Sequence, residues 1–138
     1  MEYPGPDQEQ VGRNELAEIL RGRIMSGQLK PGARVPSERD LSQAYGVSGI
    51  TARAAVAQLR AEGLAESVRG RGVVVRTPVE PEPVHVGPDD WVSARNPTPA
   101  ERKTYGVPEG VPLIVVVHPD GLQDLYPAHS HRVAYRPA

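Results

Sequence analysis

An α+β chain made of two units is predicted from three observations on the 138 residues. Up to Gly63 the apolar side chains recur at helical spacing, and beyond it the period drops from 3.6 to 2. From residue 78 the composition turns proline-rich before a second, shorter α+β pattern begins. Domains run to roughly 100–200 residues, so this length suits one ordinary domain or two small ones, without a single large core.

The first helix is carried by RNELAEILRGRIMSGQL, where Leu16, Ile19, Leu20, Ile24 and Met25 form one stripe that Gly27 ends. Residues 1–12 before it read as a disordered tail. KPGARVPSERDL then supplies a Pro-Gly turn, a short extended piece at Arg34 and Val35, and Ser37 as the cap of a second helix over Glu38–Tyr45, with Asp40 at its third position. Gly46 breaks that helix and Ser48 caps the next. The third helix carries Ile50, Ala54, Val56, Ala57 and Leu59, with Ala54, Val56 and Leu59 assigned to the core, and stops near Glu62 at Gly63. Two short helices joined by a Gly-containing turn of about four residues make a helix-turn-helix.

LAESVRGRGVVVRT reads as two strands, about 64–68 and 72–76, around a turn of Arg69, Gly70 and Arg71. Three helices followed by a basic-tipped hairpin make a winged helix-turn-helix over residues 13–77. Pro78, Pro81, Pro83 and Pro88 mark residues 78–90 as an extended linker. In the remainder, 91–138, Thr98, Pro99 and Glu101 form a capping box for a two-turn helix ending at Gly106. A buried strand, a turn at Pro119-Asp120-Gly121, a more polar partner strand and a last strand near 131–135 complete a small α+β domain.

Charge is divided unevenly. Residues 11–76 carry eleven basic and six acidic side chains, whereas residues 77–138 carry five and eight. A basic first half beside an acidic second half fits a nucleic-acid-binding module attached to something else. Cysteine is absent, which excludes disulfides and thiolate chemistry. No apolar run approaches the roughly 18 residues of a membrane span, and MEYPGPDQEQ has neither the basic start nor the apolar stretch of a signal peptide, so a cytoplasmic protein is expected. Neither a phosphate loop, a nucleophile elbow nor a pair of catalytic carboxylates is present, so neither an enzyme nor a cofactor is expected.

LKPGARVPSERDLSQAYGVSGITARAAVAQLRAEGLAESVRGRGVVV, with its flanks over residues 13–76, resembles the DNA-binding domain of the GntR family of bacterial transcription regulators. The carriers are the Pro-Gly turn, Pro36-Ser37-Glu38-Arg39, Leu41, Gly46-Val47-Ser48, Thr51, Arg53, Leu59, Glu62-Gly63-Leu64 and Arg69-Gly70-Arg71-Gly72. The resemblance implies a regulator, more often a repressor, that binds a pseudo-palindromic double-stranded DNA operator as a homodimer. It implies that Arg39 and Arg53 meet phosphate or a base edge, that Ser48 and Thr51 bond phosphate, and that Arg69, Gly70 and Arg71 enter a minor groove. Arg39 has an alternative, pairing with an acidic neighbour; Arg13, Arg21, Arg23 and Arg60 read as solvated surface.

The bare first turn of the third helix, Ser48-Gly49-Ile50-Thr51, suits that role, because a helix entering the major groove by its N-terminal end approaches closer without bulk there. The chain departs from the family at Gly49, where Arg is usual, and at Ile50, where a polar residue is frequent. A guanine-reading Arg is lost, and Ile50 is expected to pack on a thymine methyl.

ARNPTPAERKTYGVPEGVPLIVVV, residues 94–117, resembles the opening of the effector-binding domain in the HutC branch of that family, much shortened. This implies a dimerisation or truncated effector-binding domain with a small-molecule effector. A rival reading makes it a metal sensor: His129 and His131 alternate onto one face if 128–133 is extended, with His118 and Asp120 on a neighbouring hairpin, donors that suit Zn or Ni. Another rival is a winged helix retained only for protein interaction.

Overall fold

The computed structural model of the chain describes residues 6–137, with side chains from residue 12 onward. It divides after Thr77 into two units. In the first, helices α1 (Pro6–Met25), α2 (Glu38–Tyr45) and α3 (Gly49–Ala61) precede an antiparallel hairpin of β1 (Ala65–Val68) and β2 (Gly72–Val75). The caps place α2 where the sequence puts it: Ser37 Oγ accepts from the Asp40 N–H, and Gly46, at φ 67°, ends the helix with its own N–H on the Ser42 carbonyl. The first helix is longer than expected. Residues 6–12 of the expected tail are helical, because proline suits the first helical position and nothing interrupts the run until Gly12; residues 1–5 lie outside the described residues.

The core of this unit gathers Leu16, Ala17 and Leu20 of α1, Leu41 of α2, and Ala52, Ala55 and Leu59 of α3, with Leu29, Val35, Ala65 and Val75 closing it. Two faces are rotated from expectation. Ile19 and Met25 are exposed and Ala17 takes the buried position; on α3 Ala52 and Ala55 are buried while Ala54 and Val56 are only half-buried. A pattern weighted by large side chains misses this, since close helix packing favours alanine where the axes approach. The wing is also broader than a hairpin. Residues 32–35 run along β2, with Gly32 N–H on Val75 O, Val75 N–H on Ala33 O and Val35 N–H on Val73 O, each at 2.8 Å.

The second unit holds a parallel pair, β3 (Glu82–Val86) with β7 (His131–Tyr135), and an antiparallel sheet in the order β4 (Trp91–Arg95), β5 (Leu113–Val117), β6 (Gln123–Pro127). The expected linker over 78–90 is therefore corrected: it contains a strand. Pro83 has no N–H to give, but β3 is paired on one side only, where that loss is tolerated, and Val84 and Val86 alternate inward onto Val116. Helix α4 (Pro99–Tyr105) forms as expected, with both hydrogen bonds of the Thr98–Glu101 capping box and Gly106 at φ 63°. A separate cluster joins Val107, Val111 and Leu113. Strand β4, which the sequence pattern did not single out, is exposed at all five positions. No helix among the described residues is long and apolar enough to cross a membrane.

Candidate nucleic-acid interface

The turn from α2 into α3 presents a helix end with little on it. Ser48 Oγ accepts from the Thr51 N–H at 3.1 Å and lies 3.0 Å from Thr51 Oγ1, to which it donates. Gly49 follows without a side chain, and Ile50 is 70% exposed. The first turn itself contains no acidic residue, but the Glu38 carboxylate at the start of α2 lies against Gly49. Thr51 is only 6% exposed: its methyl group faces Gly12 of α1 and its Oγ1 accepts from Ser48.

The arginines divide into free and held. Arg39 is exposed and makes no hydrogen bond or ion pair among the described residues, so the alternative of an acidic neighbour fails for it. Arg53 is the one that is held: Nε and Nη2 lie 3.1 and 3.3 Å from the two oxygens of Glu38, although its side chain is 72% exposed. Gly49 is part of this arrangement, because a Cβ there would lie 2.5 Å from Glu38 Oε1. At the wing tip Arg69 is exposed and unbonded among the described residues, while Arg71 Nη2 donates to the Gly32 carbonyl at 3.1 Å. Between them Gly70, at φ 82°, has open space where a side chain would be, which leaves the backbone free to approach a partner.

Sequence reasoning missed two members of this surface. Arg34 lies against the wing base, its Nε 3.4 Å from where a Gly72 Cβ would sit, and Glu38 bridges the starts of α2 and α3. The pairing of the extended Arg34-Val35 piece with the wing is the signal that places Arg34; Glu38 belongs to the motif Pro36-Ser37-Glu38-Arg39, but nothing local announces its pairing with Arg53.

The histidines do not converge. Residues 128–130 form a turn, so His129 and His131 do not share an extended face; His131 Nδ1 instead lies 3.0 Å from the Pro127 carbonyl. His118 Nδ1 and Nε2 meet Asp90 at 2.9 Å and Asp124 at 2.7 Å, while Asp120 accepts from the Leu122 N–H. The carboxylates of Asp124 and Asp90 raise the pKa of His118 above the ordinary 6.5, and the Gly87 N–H together with His118 lowers that of Asp90. No group of three or more metal-ligating side chains occurs among the described residues.

Residues 13–75 match the family model described as bacterial regulatory proteins, gntR family. The chain is similar to the HTH-type transcriptional repressor NagR of Bacillus subtilis, 38% identical over 64 residues that make up 46% of this chain and 26% of NagR. To the mannosyl-D-glycerate transport/metabolism system repressor MngR of Escherichia coli it is 39% identical over 62 residues, 45% of this chain and 26% of that protein. Among solved structures it is similar to the AraR DNA-binding domain in complex with an operator, at 34% identity, covering 46% of this chain and 77% of that one, with a TM-score of 0.44. The chain spans about a quarter of the length of these curated relatives.

Proposed function

Since residues 13–75 are a winged helix-turn-helix domain of the gntR family of bacterial regulatory proteins, we propose that this chain is a sequence-specific DNA-binding transcription regulator acting as a homodimer on a pseudo-palindromic operator. The observation that carries the reading is the exposure of Ile50 in the first turn of α3, of Arg39 and Arg53 on the two helices, and of Arg69 and Arg71 at the tip of the wing. Ser48, Gly49 and Ile50 enter the major groove, with Ile50 meeting a thymine methyl. Arg39 and Arg53 take phosphates or base edges, and Arg69, Gly70 and Arg71 reach the adjacent minor groove. Thr51 supports Ser48 from within. Repression is favoured by the names of the relatives NagR and MngR.

Dimerisation is assigned to the second unit. Trp91, the sole tryptophan, is 78% exposed, and Val92, Leu122, Val133 and Tyr135 are exposed with it, apolar surface that a second copy would cover. A small-molecule effector and membership of the HutC branch rest on the resemblance of residues 94–117 alone.

Selection of bound sequences from a random duplex pool tests the reading. An enriched inverted repeat, bound with log affinity falling linearly in log salt, supports it; binding by Ile50→Ala that matches wild type on thymine and cytosine versions of the site sinks the methyl contact. Absence of any enrichment, with Arg53→Ala and Arg71→Ala indistinguishable from wild type, favours a protein-interaction module. For the dimer, Trp91 emission shifts to the blue as concentration rises; an emission spectrum independent of concentration, with a monomeric mass, overturns it.

A further inference from the structure

Between α3, the segment 34–38 and β2 lies a cleft of about 200 Å³, lined by Arg34, Glu38, Arg53 and Arg60 together with apolar side chains that include Val56 and Val73. Three guanidiniums share it with one carboxylate, and that carboxylate is engaged by Arg53. Arg34 is exposed and has no hydrogen bond or ion pair among the described residues. Arg60 donates from Nη1 to Ser67 Oγ on β1 at 3.0 Å, while its Nε is shielded from water with no hydrogen-bond partner. The cleft therefore carries more positive than negative charge, with the Arg34 guanidinium unpaired among the described residues.

The grooves of DNA say what completes it. A major groove and the adjacent minor groove are separated by one sugar–phosphate strand. If the first turn of α3 enters the one and Arg69-Gly70-Arg71 the other, that strand crosses whatever joins α3 to the wing, which is this cleft. We propose that the cleft is a binding site for the phosphates of the strand between the two grooves, with Arg34 and Arg60 as its phosphate ligands and the apolar side chains packing against deoxyribose. The inference rests on the DNA-binding reading above. It assigns a DNA role to Arg60, whose sequence context reads as plain surface, and to Arg34, which no motif marks. Such contacts carry no base information, so they act equally on every sequence and appear in the salt dependence.

The test therefore needs no operator. The full chain is titrated onto a fluorescein-labelled duplex of about 30 base pairs of mixed sequence, and onto a second of unrelated sequence, by anisotropy over roughly 25–200 mM NaCl. Arg34→Gln and Arg60→Gln are each expected to lower the slope of log affinity against log salt by about 0.9, on both duplexes alike. Arg34→Lys keeps the slope, and Arg132→Gln in the second unit, which removes the same charge from an exposed strand position, leaves it unchanged. Thermal melting checks that each variant is folded, and should Arg60→Gln unfold, Arg34→Gln decides alone, since its side chain holds nothing else. Wild-type slopes for both glutamine variants, with a lowered slope for Arg39→Gln, overturn the cleft while leaving the DNA-binding reading intact. Failure of the wild-type chain to bind either duplex overturns that reading and the cleft with it.

Discussion

The two units spend similar lengths of chain differently. The amino-terminal one collects eleven buried residues into one cluster, five of them leucines. The carboxy-terminal one divides its interior between two clusters of three buried residues each, and leaves Trp91, Leu122 and Tyr135 in water. At roughly 0.05–0.15 kcal/mol per residue, units of this size have only a few kcal/mol to lose. One unit thus has a single continuous core, and the other is short of one, with β4 and β6 each paired on one side only among the described residues.

The largest effect expected comes from core truncation. Leu59 and Leu113 are both fully buried, and replacing either by alanine costs about 2–5 kcal/mol. Leu59→Ala lowers the stability of the first unit but leaves its amides protected from hydrogen exchange. Leu113→Ala exceeds the margin of the second, so the amides of β4, β5 and β6 exchange as in an unfolded chain while those of α1 and α3 do not. Retained protection in those strands would break the contrast drawn between the units.

What the sequence made legible divides along a related line. Features closed within one turn of chain were readable: the Ser37 and Ser48 caps, the Thr98–Glu101 box with Pro99 and Gly106, and the hairpin over 113–127. Features set by distant partners were not. Thr51 is buried because α1 passes over it at Gly12, and Glu38 holds Arg53 across fifteen residues of sequence. The four prolines of 78–90 masked β3, whose strand identity comes from pairing with β7, some fifty residues away. The proposed DNA-facing surface draws by motif on Arg39, Gly49, Ile50, Arg69 and Arg71, whereas Arg34 beside the wing and the bridge from Glu38 to Arg53 take their places through tertiary contact.

A smaller effect probes the tertiary side of that division within the first unit. Gly49 stands at the first position of α3, and alanine there gains up to about 0.5–1 kcal/mol in helix propensity. Its Cβ displaces the Glu38 carboxylate, whose exposed pairing with Arg53 is worth about 0–1 kcal/mol. The two contributions oppose each other, so Gly49→Ala is near neutral in the wild-type chain and stabilising by about 0.5 kcal/mol when Glu38→Ala has removed the obstacle. Urea denaturation of the four proteins closes the cycle. Equal effects of Gly49→Ala in the two backgrounds would show that Gly49 and Glu38 are not coupled, and that the sequence departure at residue 49 concerns DNA alone.

The smallest effects are electrostatic, because the groups are exposed and salt screens them. They separate the units again. In the second, the Arg95 guanidinium at 2.7 and 2.8 Å and then the Thr98 N–H hold Glu101 down from the ordinary 4.5 to about 2. A depressed carboxylate contributes stability above pH 4.5 and loses it as pH falls from there towards about 2. His118 has the opposite sign: raised by Asp124 and Asp90, it contributes stability below pH 6.5 that is lost as pH rises through its higher folded value. In the first unit the shifted group among the described residues is Arg21, raised chiefly by its bond to Glu62, and a guanidinium stays charged throughout this range, so it introduces no edge near neutrality. Thermal melting followed by Trp91 emission, which reports on the second unit, should therefore show a plateau with an acid limb below pH 4.5 and an alkaline limb above pH 6.5. Glu101→Gln flattens the acid limb, His118→Asn the alkaline one, and high salt shallows both. An alkaline limb that survives His118→Asn would mean that the bonds to Asp90 and Asp124 do not tie β4, β5 and β6 together, and that this unit depends on its two small clusters alone.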